Sequence, residues 1–135
     1  MNNFVSLGFL PRHMDLALLI LRVWLGFALF IRHGLEKITN LSSMAAHFPN
    51  PVHIGAGPTF AIALFSDAVC SILVMLGFAT RWAAIVIMIN TGAAFIFIHR
   101  LAFFGPRNGE LPWIYFGWAL AIFIAGAGRY SFDGK

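Results

Sequence analysis

Charge is scarce in this chain. Lys, Arg, Asp and Glu make up 10% of its 135 residues, against about 25% in a soluble domain. Five residues are acidic. Such a chain cannot cover a globular core with polar surface, and 60% of it is hydrophobic, so its composition is that of a membrane protein. Cysteine is nearly absent: Cys70 stands alone, which excludes an internal disulfide and intramolecular dithiol chemistry. There is no P-loop, no dinucleotide fingerprint, no hydrolase triad and no cofactor box. The net charge of +4 does not signal nucleic acid, because the cations are scattered at helix ends, where anionic headgroups favour them. Residues 1–13 do not read as a cleaved signal. The apolar run after them is too long, contains Arg22 and lacks an A-x-A-like site.

Long apolar runs fill the rest. Their lengths predict an all-α fold, an integral membrane antiparallel four-helix bundle in one domain spanning 1–135. The helices are expected at about 15–37, 58–77, 81–99 and 111–126. Residues 1–13 form an interfacial lead ended by Pro11. Asp15 sits in the first turn of helix 1, where the macrodipole favours an anion. Residues 39–55 read as a loop broken at Pro49, Asn50-Pro51 and Gly55, and residues 100–110 as another, broken at Gly105-Pro106. GFATR, residues 77–81, is a tight turn. Gly117, Ala121 and Ala125 form a small-residue stripe suited to close helix approach. Trp113, Tyr115 and Trp118 read as an interfacial belt. Basic residues do not orient the chain. Arg12, Arg81, Arg129 and Lys135 on one side balance Arg32, Lys37, Arg100 and Arg107 on the other.

The first run, LALLILRVWLGFALFIRHGLEK, organises the rest. At 100° per residue, Arg22, Gly26, Leu29, His33, Glu36 and Lys37 share one face. A charge at mid-membrane faces a bundle interior and pairs with something. Helix 2 carries Asp67. Arg22 lies roughly 10 Å and Asp67 roughly 15 Å from one membrane face, a difference an arginine side chain spans, so the two are expected to pair. Asn90 on helix 3 is a candidate third member. The pair reads either as glue fixing helix register or as the lining of a ligand or proton path. His33, Glu36, Lys37, His99 and Glu110 map to the opposite membrane face. Their spacing matches no metal-ligand motif, so no metal site is assigned. A pocket for a polar headgroup such as a quinone ring suits them better. The expected cavity lies between helices 1, 2 and 3, closed at one end by Arg22 and Asp67, with His33 and Lys37 at its other mouth. Cys70 reads as a small core residue. In the tail, GAGRYSFDGK, Gly126 and Gly128 end helix 4, Arg129 meets its last carbonyls, and Asp133 folds back to Arg129 or Arg81.

Three segments, LRVWLGFALFIRHGLEKI, ALFSDAVCSILVMLGFATRWAA and GAGRYSFD, resemble the hallmark blocks of DoxX-family membrane proteins. The family pattern falls here on Arg22, Gly26, His33, Gly34, Lys37, Asp67, Thr80, Arg81, Arg129, Ser131 and Asp133. Asp67 stands where the family usually has glutamate. The resemblance implies four helices, an inner-membrane location and cytoplasmic termini. For function it implies less: the family takes its name from a subunit linked to quinone-dependent sulfur oxidation, and fold-level analogy does not carry an activity. Three readings stay open. One is a redox-associated membrane subunit, a part of a quinone-linked oxidoreductase, binding quinone or quinol with Arg22, His33, Lys37, Asp67, Asn90 and His99 as candidate ligand-binding residues. Another is a non-catalytic factor that scaffolds or assembles a partner protein or binds lipid. The third is a small-solute or proton carrier, for which four helices leave little room without a homo-oligomer.

Overall fold

The computed structural model describes residues 4–50 and 53–134. Pro51, read above as a breaker, and Lys135, counted among the tail charges, lie outside the described residues, as do the first three residues of the lead. Among the described residues all regular structure is helical, with no strand. We label the helices α1 (Met14–Thr39), α2 (Leu41–His47), α3 (Ala56–Leu76), α4 (Thr80–Ile98) and α5 (Glu110–Ala125). α1, α3 and α4 have the length and apolarity to cross a membrane, whereas α5 is shorter.

α2 corrects the loop reading of residues 39–55. The segment LSSMAAH is helical, and Met44, Ala45 and Ala46 are good helix formers with no breaker among them. The breakers act only after His47.

The four long helices touch in a closed ring: α1 on α3, α3 on α4, α4 on α5 and α5 back on α1. The end of this assembly nearest the α3–α4 turn is solid. Leu29, Cys70, Val74, Ala83, Ala84, Ile87, Trp118, Ala119 and Ile122 form its core. Cys70 is 1% exposed and belongs to this core.

Two sequence expectations change on α5. The stripe Gly117, Ala121 and Ala125 faces outward, and a Cβ on Gly117 would meet nothing. Close approach is made instead by Ala83, Ala84 and Ala119. Tyr115 and Trp118 are not a surface belt; both are buried. Trp118 can turn inward because its indole N–H donates to the Leu21 carbonyl at 3.1 Å, which satisfies the ring's polar atom.

α1, α3 and α4 each contain a π-helical segment: Phe30–Gly34, Phe65–Cys70 and Ala94–Ile98 respectively. A π turn adds a residue and rotates everything beyond it. On α1 the buried residues are Arg22, Gly26, Leu29, Gly34 and Lys37. The step from Leu29 to Gly34 crosses the π segment and keeps the polar stripe facing inward. Side chains satisfy carbonyls inside these segments: Lys37 Nζ donates to His33 O at 3.4 Å and Ser71 Oγ to Asp67 O at 2.6 Å.

The tail closes the solid end. Gly77 ends α3 at φ +74°. Phe78 N–H donates to Leu73 O and Gly77 N–H to Val74 O, the Schellman pattern that favours glycine. Residues 128–134 fold over this turn. Asp133 does not pair with Arg129 or Arg81, as the sequence suggested. Its carboxylate accepts the backbone N–H groups of Ala79 at 2.9 Å and Thr80 at 2.8 Å. Asp133 thus caps α4 from across the fold, since Ala79 has no side-chain acceptor. Arg81 Nη2 donates to Ile124 O at 3.2 Å and serves the end of α5, the position expected for Arg129. The Arg129 backbone N–H is taken by Asp15 Oδ1 at 3.0 Å.

Burial alone would raise the Asp133 carboxyl, but hydrogen bonds from Thr80 and Ala79 and the Arg22 charge hold it below the ordinary carboxylate value. A carboxyl depressed on folding contributes its full stability above the unfolded value and loses it as pH falls through the folded one. Asp133→Ala should therefore lower the thermal midpoint at neutral pH by an amount matching a lost cap, about 1 kcal/mol. The gap to wild type should narrow as pH drops below the usual carboxylate range. Equal melting curves at pH 7 would remove the cap.

Candidate functional site

The opposite end of the assembly is hollow. A cavity of about 390 Å³ lies between α1, α3, α4 and α5. Its walls are largely apolar, including Leu29, Phe48, Ala63, Ala94, Ile98 and Leu111. Its polar groups include Arg32, His33 and Lys37 from α1, Thr59 and Asp67 from α3, Asn90 and Thr91 from α4, His99 and Asn108 from the segment after α4, and Tyr115 from α5. All three π segments reach it, through His33, Asp67, Ala94 and Ile98. π turns recur at functional sites because they aim a side chain that α geometry would turn away.

At its centre is an ion pair. Lys37 Nζ donates to Asp67 Oδ2 at 2.7 Å, with both side chains at 7% exposure or less. Asn90 Nδ2 donates to Asp67 Oδ1 at 3.1 Å. Both carboxylate oxygens are therefore occupied, and Lys37 also faces the Phe48 ring at 6.0 Å. Gly34 makes the pair possible. A Cβ there would stand 2.5 Å from the Asp67 carbonyl oxygen and 3.0 Å from Ala68 Cα. Only glycine lets α1 and α3 approach so closely, and one turn further on Lys37 meets Asp67. The pair links two separately desolvated charges whose separate burial would be costly.

The expected Arg22–Asp67 pair is not formed. Arg22 is fully buried at the solid end. Its Nη1 donates to Val74 O and Met75 O at 3.1 Å each, and its Nη2 to Tyr130 O at 2.6 Å. It thereby satisfies the last carbonyls of α3 and ties the tail to them. Equal depth from one face does not bring Arg22 to Asp67, because α1 and α3 do not end in one plane. Gly26, roughly three turns into α1, already lies against Ser71 and Met75 near the end of α3. Arg22 therefore meets the end of α3, and Lys37 meets Asp67.

The remaining candidates separate cleanly. His33 and His99 line the cavity with Lys37, Asp67 and Asn90; His99 Nδ1 lies 3.0 Å from Arg107 O. Glu36 pairs with exposed Arg32 at 3.3 Å. Gly26, Thr80, Arg81, Arg129, Ser131 and Asp133 lie outside the cavity lining. Arg22, Arg81 and Asp133, with the Arg129 amide, hold helix ends and tail together. Sequence reasoning missed Tyr115, whose ring meets His33 edge-on at 5.8 Å, and Phe48, which packs on Phe60 at 5.3 Å. Tyr115 read as part of an interfacial belt and Phe48 fell in a segment read as a loop, so neither reading placed it at a cavity. Cys70 does not line the cavity. Among the described residues no three His, Cys, Asp or Glu side chains gather as a metal set.

A family model for DoxX matches residues 17–100. The chain belongs to the DoxX family. The matched span contains most of α1, all of α3 and α4 and most of the cavity's polar groups, and stops before the tail that carries Asp133. Two relatives from Haemophilus influenzae, both described as uncharacterized proteins, align along most of their length. One is 30% identical over 135 residues, covering 93% of this chain and 95% of its own. The other is 32% identical over 123 residues, covering 87% and 81%. No solved structure matches the chain. In this DoxX-family chain the helix 1 block thus divides in two: Arg22 and Gly26 belong to the packed end, Gly34 and Lys37 to the cavity.

Proposed function

We propose that this DoxX-family protein is a four-span inner-membrane subunit, with both termini cytoplasmic, that holds the polar headgroup of a quinone, quinol or similar small amphiphile in its cavity. The observation that supports the reading most directly is a buried Lys37–Asp67–Asn90 network set into an otherwise apolar wall. A headgroup site needs that combination: apolar surface to bury a ring and a few fixed polar groups to orient it. Lys37 and Asn90 carry donors for a carbonyl oxygen; Asp67 carries an acceptor for a hydroxyl. His33 and His99 place two more exchangeable groups in the same space. α5, roughly 24 Å long at 1.5 Å per residue, serves as the fourth span by local bilayer thinning. Redox turnover would require a partner protein to carry electrons. A second reading, a non-catalytic assembly or lipid-binding factor, is favoured by the fact that the network satisfies itself without a ligand.

Titration of the purified protein in nanodiscs with decylubiquinone separates the two. Binding at about one per protein is expected, weakened about tenfold or more by Lys37→Met and by Asp67→Asn. Absence of binding, or equal binding by all three proteins, would leave the non-catalytic reading.

A further inference from the structure

The cavity has an apolar neighbour. A groove of about 590 Å³ runs along the outer side of α1 beside α5, lined by Trp24, Phe27, Ala28, Ile31, Arg32 and Tyr115. Trp24 is 74% and Phe27 57% exposed, so the groove opens outward, where a bilayer would lie. Arg32 and Tyr115 line both the groove and the cavity. The two spaces therefore meet at one buried aromatic ring and one guanidinium. The freer of the two is Arg32, whose side chain is 67% exposed and, among the described residues, paired with its neighbour Glu36 alone, a contact of small worth at a surface. Tyr115 is the fixed side: its ring is 5% exposed and packs edge-on against His33 and Trp118.

We infer that Arg32 and Tyr115 form a lateral portal, and that the groove carries the alkyl tail of the molecule whose head occupies the cavity. The inference rests on the headgroup reading above and narrows its ligand to long-tailed amphiphiles. The groove's other walls are apolar, so within a bilayer it offers a polar solute nothing. A tail gains from it a fixed, preshaped path that ends at the polar network. Arg32 at the junction supplies a donor at the boundary between head and tail.

The test compares two probes on one protein in phosphatidylcholine nanodiscs: decylubiquinone, and the same dimethoxy-methyl-benzoquinone ring without a tail. Ala28→Trp fills the groove at a residue that does not itself line the cavity. It should weaken decylubiquinone about tenfold while leaving the tail-less ring unchanged. Partitioning of each probe into lipid is the same for both proteins and cancels. If both probes bind wild type and the substitution affects neither, or both equally, the portal is overturned and the cavity reading stands. If wild type binds neither probe, the cavity reading fails and takes the portal with it. A readout on folded wild type guards against misfolding of the variant. A terminally brominated decyl tail should quench Trp24 fluorescence, saturating at one probe per protein, and Trp24→Phe should remove that component. Quenching that rises without saturation would place the tail in bulk lipid and overturn the portal.

Discussion

Asp67→Ala should destabilise the protein by roughly 3–5 kcal/mol, read as a large drop in thermal midpoint and in yield of folded protein from membranes. The reason is what remains. Lys37 is 6% exposed, and its strongest partner is the Asp67 carboxylate at 2.7 Å. Without it, the ammonium keeps the long contact to His33 O at 3.4 Å and the Phe48 ring at 6.0 Å, neither of which carries a counter-charge. Asn90 loses its acceptor as well. The discriminating variant removes both charges. Lys37→Met with Asp67→Leu leaves no orphaned charge, only the half-buried Asn90 amide without its acceptor, and replacing a buried pair with apolar groups of similar volume is often neutral or stabilising. The double variant should recover most of the lost stability while failing to bind decylubiquinone. Such a result separates the pair's structural role from its role in the cavity. If Asp67→Ala melts like wild type, the pair is not buried in the membrane-embedded protein.

Arg22→Ala should cost at least about 3 kcal/mol, because three carbonyl acceptors lose the donor that a fully buried guanidinium supplies. Its guanidinium contacts Val74, Met75 and Tyr130, so the loss frees both the end of α3 and the tail. Arg22→Lys should rescue little. One ammonium on a flexible stem cannot reproduce a planar fork aimed at carbonyls on two segments. The readout that marks the mechanism is protease sensitivity of residues 128–134. It should rise in Arg22→Ala and in Arg22→Lys, and stay low in Lys37→Met with Asp67→Leu, whose changes lie at the far end. An Arg22→Lys protein with wild-type stability and a protected tail would show that the fork is dispensable. A related strain sits at Gly77, where any Cβ would press on Ser131 and lie 2.6 Å from Arg22 Nη1.

The two families of effect map onto the two ends of the molecule. Family blocks that look alike in the sequence divide by depth: Arg22, Gly77, Thr80 and Asp133 close the packed end, while Gly34, Lys37 and Asp67 build the hollow one. A substitution at the first set should change how well the protein folds. One at the second, with charge balance kept, should change what it binds.

The sequence by itself determined the helical, apolar class, through runs too long and too poor in charge for a soluble core. It also determined that one face of α1 is polar and must turn inward, because Arg22, His33 and Lys37 recur at helical spacing and neither Arg22 nor Lys37 can be left against lipid. It carried the DoxX blocks. Which cation meets which carboxylate was decided only by the tertiary structure. The choice depends on two quantities that periodicity does not encode. One is the stagger of α1 against α3, set where Gly26 and Gly34 let the backbones approach. The other is the extra residue in each π segment, which rotates Gly34 and Lys37 relative to Arg22. The capping of α4 by Asp133 belongs to the same class. A carboxylate from the far end of the chain reaches two backbone N–H groups because Ala79 leaves them bare, and local spacing in a sequence holds no record of a partner more than fifty residues away.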